Sequence, residues 1–129
     1  MTPQALPRVI QGGMGAAVSS WTLARAVASA GQLGVVSGVG LELLLARRLQ
    51  SGDPGGHFRR ALAAFPVLEV SERIAREHFV HGGSATFRAI PMHTANDSPA
   101  LLAMTVAATF AEVWLAKEGH DGLVGINFL

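Results

Sequence analysis

The chain contains no cysteine, which excludes disulfide scaffolds, thiolate metal sites and cysteine nucleophiles. Charge is scarce as well: 15% of the 129 residues are charged, with ten basic side chains, nine acidic ones and a net charge of +1. That balance gives no electrostatic footprint for nucleic acid, so no nucleic-acid partner is expected. No lysine follows any glycine cluster, which argues against a P-loop nucleotide triphosphatase. The start, Met1-Thr2-Pro3-Gln4, lacks the basic and apolar regions of a signal peptide. The most apolar run, 98–111, is short for a bilayer span and reads better as a buried helix. A cytoplasmic protein with no membrane partner is the expectation. Low-complexity segments and internal repeats beyond a βα alternation are also missing.

What the chain does have is hydrophobic residues, half of the total, and 15 glycines. Its length and composition fit one domain with much buried surface. The organising stretch is Arg8-Val9-Ile10-Gln11-Gly12-Gly13-Met14-Gly15, a short β-branched run that stops in a polar residue and three glycines. Ser19 or Ser20 can cap the helix that follows, and Gly31 is placed to end it. A strand that delivers a glycine turn to a helix brings backbone N–H groups close to a ligand. Leu33 to Ser37 reads as a second buried strand, closing in Ser37-Gly38-Val39-Gly40. The next helix carries Leu41, Leu44, Leu45 and Leu49 on one stripe, with Arg47, Arg48 and Gln50 off it. The order β, glycine turn, α, β, glycine turn, α predicts a parallel α/β fold.

The alternation breaks at the turn cluster Asp53-Pro54-Gly55-Gly56. Two short helices are expected over about 56–80, the first with Phe58, Leu62 and Phe65 inward and the second capped by Ser71. Residues 84–97 have no period and read as loop. Ser98-Pro99 then starts a long helix over about 98–118, apolar nearly all round and so expected to be largely buried. Strands are thus predicted near 8–11, 33–37 and 122–128. A parallel sheet ending on an apolar strand leaves an open edge that invites self-association. On this pattern the chain reads as the front part of a larger α/β protein.

Gly13-Met14-Gly15-Ala16-Ala17-Val18 approximates a dinucleotide-binding fingerprint, but valine replaces the third glycine. Ser37-Gly38 also stands where that fold wants an acid for the ribose. The five histidines show no metal-ligand spacing, so no metal site is assigned. His78 and His81 read as helix-end residues, and His93 as a surface residue with no nucleophile beside it. Asn127 interrupts an apolar strand near its C-terminal end, where a parallel barrel or sheet presents its ligand site. A hydrogen bond to neighbouring backbone explains that asparagine equally well.

The stretch Pro7-Arg8-Val9-Ile10-Gln11-Gly12-Gly13-Met14-Gly15, followed by Leu33-Gly34-Val35-Val36-Ser37-Gly38 and Val124-Gly125-Ile126-Asn127-Phe128, resembles the nitronate monooxygenase (2-nitropropane dioxygenase-like) family. The flavin-dependent enoyl-reductase branch of the same superfamily is similar. The resemblance covers most of the chain. It implies an FMN-binding (β/α)8 TIM barrel, of which this chain would be the N-terminal part, with about three parallel strands and an inserted helical segment. The implied activity is oxidation of a small-molecule substrate, an alkyl nitronate, to a carbonyl compound and nitrite. In the sister branch it is reduction of enoyl thioesters in fatty-acid or polyketide synthesis. By resemblance, Gly12, Gly13 and Met14 contact the isoalloxazine ring largely through backbone, Gly38 lines the same mouth, and Asn127 hydrogen-bonds the flavin. The family's phosphate-binding loops and catalytic histidine lie past its third strand, so no residue here inherits a catalytic role. Residues 1–129 alone are therefore expected neither to hold FMN tightly nor to turn over nitronates. The alternative from another class is a non-enzymatic α/β ligand-binding module that folds cooperatively by itself.

Overall fold

The computed structural model describes residues 5–128. Among them the elements run α1 (Trp21–Ser29), β1 (Leu33–Ser37), α2 (Leu41–Gln50), a 3-10 turn (Pro54–Gly56), α3 (His57–Ala64), α4 (Leu68–His78), α5 (Pro99–Lys117) and β2 (Leu123–Asn127). The architecture is mixed α/β, with five helices and a two-stranded parallel sheet. The chain divides into two compact units, one of 1–39 with 113–129 and one of 40–112.

In the first unit β1 and β2 pair in parallel, from Leu33 opposite Leu123 to Ser37 opposite Asn127. The expected strand at 8–11 is reduced to one parallel bridge between Ile10 and Leu33. Two bonds support it: Leu33 N donates to Val9 O at 3.1 Å and Gln11 N to Leu33 O at 3.0 Å. The next donor along β1, Val35 N, finds the Gln11 side-chain Oε1 at 3.1 Å instead of a backbone carbonyl. A side chain thus ends the ladder one step after it begins, and Val9 and Ile10 stay exposed where burial was expected. α1 packs on the sheet through small residues. A Cβ on Gly34 would lie 2.0 Å from Ala24 O, and one on Gly122 would lie 2.1 Å from Ala28 O. Ala24, Val36 and Ala116 form the core there, with Trp21, Val124 and Ile126 packed against them. Strand residues alternate faces, so Val36 lies on the helix side while Leu33, Val35 and Ser37 take the other. Ser20 holds the N-cap position of α1 but makes no side-chain cap; its hydroxyl pairs with Thr22 Oγ1 at 2.7 Å.

The second unit is helical, with Leu45, Leu49, Phe58, Leu62 and Ile74 buried and Phe65 meeting Phe110 edge-on at 5.2 Å between ring centroids. Asp53 ties its entry: the carboxylate accepts from Phe58 N at 3.1 Å, Arg59 N at 2.9 Å and Arg59 Nε at 3.1 Å. Three expectations are corrected here. Gln50 is buried with the leucine stripe of α2, because its amide is satisfied by Arg47 Nη1 at 2.9 Å and Arg88 O at 3.3 Å. Ser71 does not cap α4, which starts three residues earlier; its hydroxyl donates to Leu68 O at 3.1 Å. On α5, Leu102 and Val106 are more than half exposed, since a helix apolar on every side carries no pattern that says which side is covered. The start of α5 is as expected, with Leu101 N donating to Ser98 Oγ at 3.1 Å. By length and composition α5 could cross a membrane, as can many core helices, and fewer than half of its residues are buried.

Candidate functional site

The glycine turn is held from three sides. Ser19, itself buried, accepts Met14 N on its hydroxyl at 3.2 Å, while its carbonyl accepts Ser37 N at 2.9 Å. The hydroxyl expected at the helix cap therefore reaches back to the turn. Gly15, at φ +85°, lets the chain fold so that Val18 N and Ser19 N both reach its carbonyl, at 3.0 and 3.2 Å. From the far end of the sequence, Asn127 Nδ2 donates to Gly13 O at 3.2 Å.

The two adjacent glycines differ in what surrounds them. A Cβ on Gly13 would fall 2.3 Å from Val35 Cγ1, whereas one on Gly12 would meet nothing within 4 Å. Gly13 is thus a packing glycine pressed on β1, and the open ground lies at Gly12. The Met14 side chain is exposed. Gly38 N donates to Asn127 O at 2.8 Å, and a Cβ there would sit 2.6 Å from the Phe128 ring. On its Cβ side Gly38 is met by that ring, while the residue itself stays partly exposed. The turn, Gly38 and Asn127 are therefore brought together, although Gly13 and Gly38 serve packing.

Two further residues belong to this arrangement, and no motif singled out the role of either. Gln11 Nε2 and Ser37 Oγ are buried without a hydrogen-bond partner. Gln11 directly precedes the turn, and Ser37 lies opposite Asn127 in the parallel register. Buried polar atoms with spare hydrogen-bonding capacity are uncommon in folded proteins. The only sequence signal was a polar residue at the end of each apolar run. None of these side chains titrates near neutral pH, so the arrangement offers backbone dipoles and amide groups rather than acid–base chemistry.

In the second unit the structure gathers a different group. His93 Nδ1 lies 2.5 Å from Asp97 Oδ2, and its Nε2 lies 3.2 Å from Glu42 Oε1 and 3.3 Å from Thr105 Oγ1. Asp97 Oδ1 also accepts Thr94 N at 2.6 Å. The hydrogen bond to Asp97 raises the His93 pKa above its usual value, with Glu42 adding to the effect. The Asp97 carboxyl is lowered by His93 and by the Thr94 N–H. With a carboxylate at each ring nitrogen, the imidazolium form is favoured and no lone pair is left for base catalysis. The Thr105 hydroxyl is no nucleophile, since it donates to Leu101 O at 2.9 Å. His93 is a surface residue as expected, but it works as a clasp. Among the described residues no three or more histidine, aspartate or glutamate side chains are grouped as a metal ion would require.

No protein-family model matches the chain, and neither a curated protein nor a solved structure does.

Proposed function

We propose that this chain is the isoalloxazine-facing part of an FMN-dependent oxidoreductase of the nitronate monooxygenase kind, converting alkyl nitronates to carbonyl compounds and nitrite. The observation that carries the reading is the Asn127 amide bonded to Gly13 O across 114 residues of sequence. It sets a polar amide beside packed Gly13, next to the open backbone of Gly12, at the C-terminal end of two parallel strands, where α/β sheets offer their ligand sites. The segment 9–11, β1 and β2 run parallel and in sequential order. That order agrees with the opening strands of a (β/α)8 barrel, the finer fold included in this proposal.

The residues present suit a flat heteroaromatic ring. Gly12 leaves its approach free, Met14 presents a soft, exposed thioether, and Asn127 uses one of the several hydrogen bonds an amide can make. Gln11 Nε2 and Ser37 Oγ add unsatisfied polar capacity next to them. FMN, when bound, supplies the electron acceptor for the oxidation. The part of this chain would be to bind and orient: backbone groups of the turn would hold the ring, Asn127 fixes the turn to the sheet, and no proton transfer would fall to either.

The test is a titration of FMN, followed by flavin fluorescence, into the intact protein that carries this sequence. Asn127→Leu should weaken binding by about 1–3 kcal/mol, the penalty for an unsatisfied buried partner. A protein that does not bind FMN, or an Asn127→Leu variant that loses stability at unchanged affinity, overturns the reading. Nitrite release from the anion of 2-nitropropane separates this activity from reduction of a crotonyl thioester.

A further inference from the structure

A cavity of about 220 Å³ in the helical unit lies among α4, the segment 88–91 and the first turns of α5. Its floor is apolar, formed by the buried side chains Ile74, Leu101 and Met104. Its rim is cationic. Arg73 and Arg88 both line it, against one carboxylate, Glu77. The Arg88 guanidinium is steered there by a bond from Nη1 to Glu77 O at 3.2 Å, while its own carbonyl is held by Arg47 Nη1 at 2.8 Å. The Glu77 carboxylate lies 3.9 Å from His78 Nε2. Arg73 is half-buried, and no hydrogen bond or ion pair ties it down among the described residues. A guanidinium that is partly withdrawn from water and faces a cavity, unpaired with the single carboxylate there and joined by a second guanidinium, leaves the rim one positive charge in excess and suits an anion.

We propose that this cavity binds a short-chain carboxylate, its headgroup on Arg73 and Arg88 and its alkyl chain on Ile74, Leu101 and Met104. At about 30 Å³ for each water, the volume corresponds to roughly seven waters, or a carboxylic acid of about eight non-hydrogen atoms. Arginine favours a carboxylate because its planar fork can donate two parallel hydrogen bonds. The buried floor explains why the ligand is an amphiphilic acid rather than an inorganic anion: phosphate would desolvate against Leu101 and Met104 with nothing to gain there. His78 is buried and lowered in pKa chiefly by that burial, so near neutral pH it adds a neutral polar edge rather than a third charge. The site is independent of the flavin reading.

The experiment is calorimetric titration of the protein with hexanoate, hexanol and inorganic phosphate. Hexanoate should bind, with hexanol and phosphate each at least tenfold weaker. Arg73→Gln should weaken hexanoate at least tenfold while leaving hexanol unchanged. Ala100→Phe fills the cavity from an exposed position at the start of α5, so it should abolish binding without touching the charges or the core. Absence of hexanoate binding at millimolar concentration overturns the proposal. So does equal binding of hexanol, which would mean an apolar pocket only, or an unchanged affinity in both variants with the fold intact by circular dichroism.

Discussion

Gly12 and Gly13 stand side by side in sequence and are predicted to respond to alanine in opposite ways. At Gly13 the new Cβ would lie 2.3 Å from Val35 Cγ1, 2.9 Å from Val35 Cβ and 3.0 Å from Val35 O. Carbon atoms normally meet at about 3.5–4.0 Å, so the turn must lift from β1 by an ångström or more or Val35 must leave its rotamer. Overpacking of that size costs about 1–3 kcal/mol. Val35→Ala alone removes two methyl groups from a half-buried site, about 1–2 kcal/mol at ~0.8 kcal/mol for each buried carbon. Since Cγ1 is the worst clash, the double variant should be less destabilised than the sum of the two singles by about 1 kcal/mol or more. The rescue is partial, because the Val35 Cβ and carbonyl remain. Gly12→Ala enters open space, so its stability should stay within about 0.5 kcal/mol of the parent, while its methyl group occupies the ground assigned to the flavin and lowers FMN affinity. Urea unfolding of the intact protein reads the first effect as a shift in midpoint at constant slope, and flavin fluorescence reads the second. Additive single and double variants, or a Gly12→Ala as unstable as Gly13→Ala, would refute the packing argument.

Three other outcomes follow from the same geometry. Gly34→Ala places a Cβ 2.0 Å from a backbone carbonyl, Ala24 O, which cannot rotate away; the loss should reach about 3 kcal/mol, the upper end of the overpacking range, in thermal or urea unfolding. Asp53→Ala strands the Phe58 and Arg59 N–H groups, so hydrogen exchange at those two amides should accelerate and stability should fall by about 1–2 kcal/mol, as for a lost helix cap. The His93 clasp has a defined pH window. The raised histidine pKa gives stability that is complete below its ordinary value of 6.5 and lost as pH rises through the raised value. The lowered Asp97 gives stability present above its ordinary 3.8 and lost as pH falls through the lowered value. The contribution is therefore fullest between those two ordinary values. His93→Asn should flatten the slope on the alkaline side, and an NMR titration placing the His93 ring at or below 6.5 would refute the assignment.

Much of the fold could be read in advance because its signals are local. Leu33 to Val36 is a short run without a charged or polar side chain between Gln32 and Ser37, Ser98-Pro99 is a cap followed by a first-turn proline, and Gly31 turns the chain after α1 at φ +82°. Each of these acts within a few residues. The first strand failed for a reason that lies outside its own span. Val9-Ile10 has strand-forming residues, but whether the ladder continues depends on Gln11 offering its side chain to Val35. Gln50 shows the same dependence. Polar residues are placed outside by default, and this one is inside because Arg47 and Arg88 O await it there.

The site divides in the same way between what spacing encodes and what only contact decides. A glycine cluster after a short apolar run identifies a tight backbone turn, and that much was legible. Which of two neighbouring glycines is open and which is pressed on a strand depends on the position of Val35 Cγ1, and no residue type records it. For Asn127 the two readings left open were a ligand contact and a bond to neighbouring backbone. The backbone it meets is Gly13 O, adjacent in space and distant in the chain, so the asparagine joins the last strand to the turn at which a ligand would be received. One amide proton suffices for that bond, and the remaining capacity of the group is what the proposed flavin contact would use. The histidine makes the contrast complete. Asp97 is four residues after His93 in the sequence, but Glu42 comes from α2, and only its arrival at the second ring nitrogen turns an ordinary surface histidine into a cation held between two carboxylates.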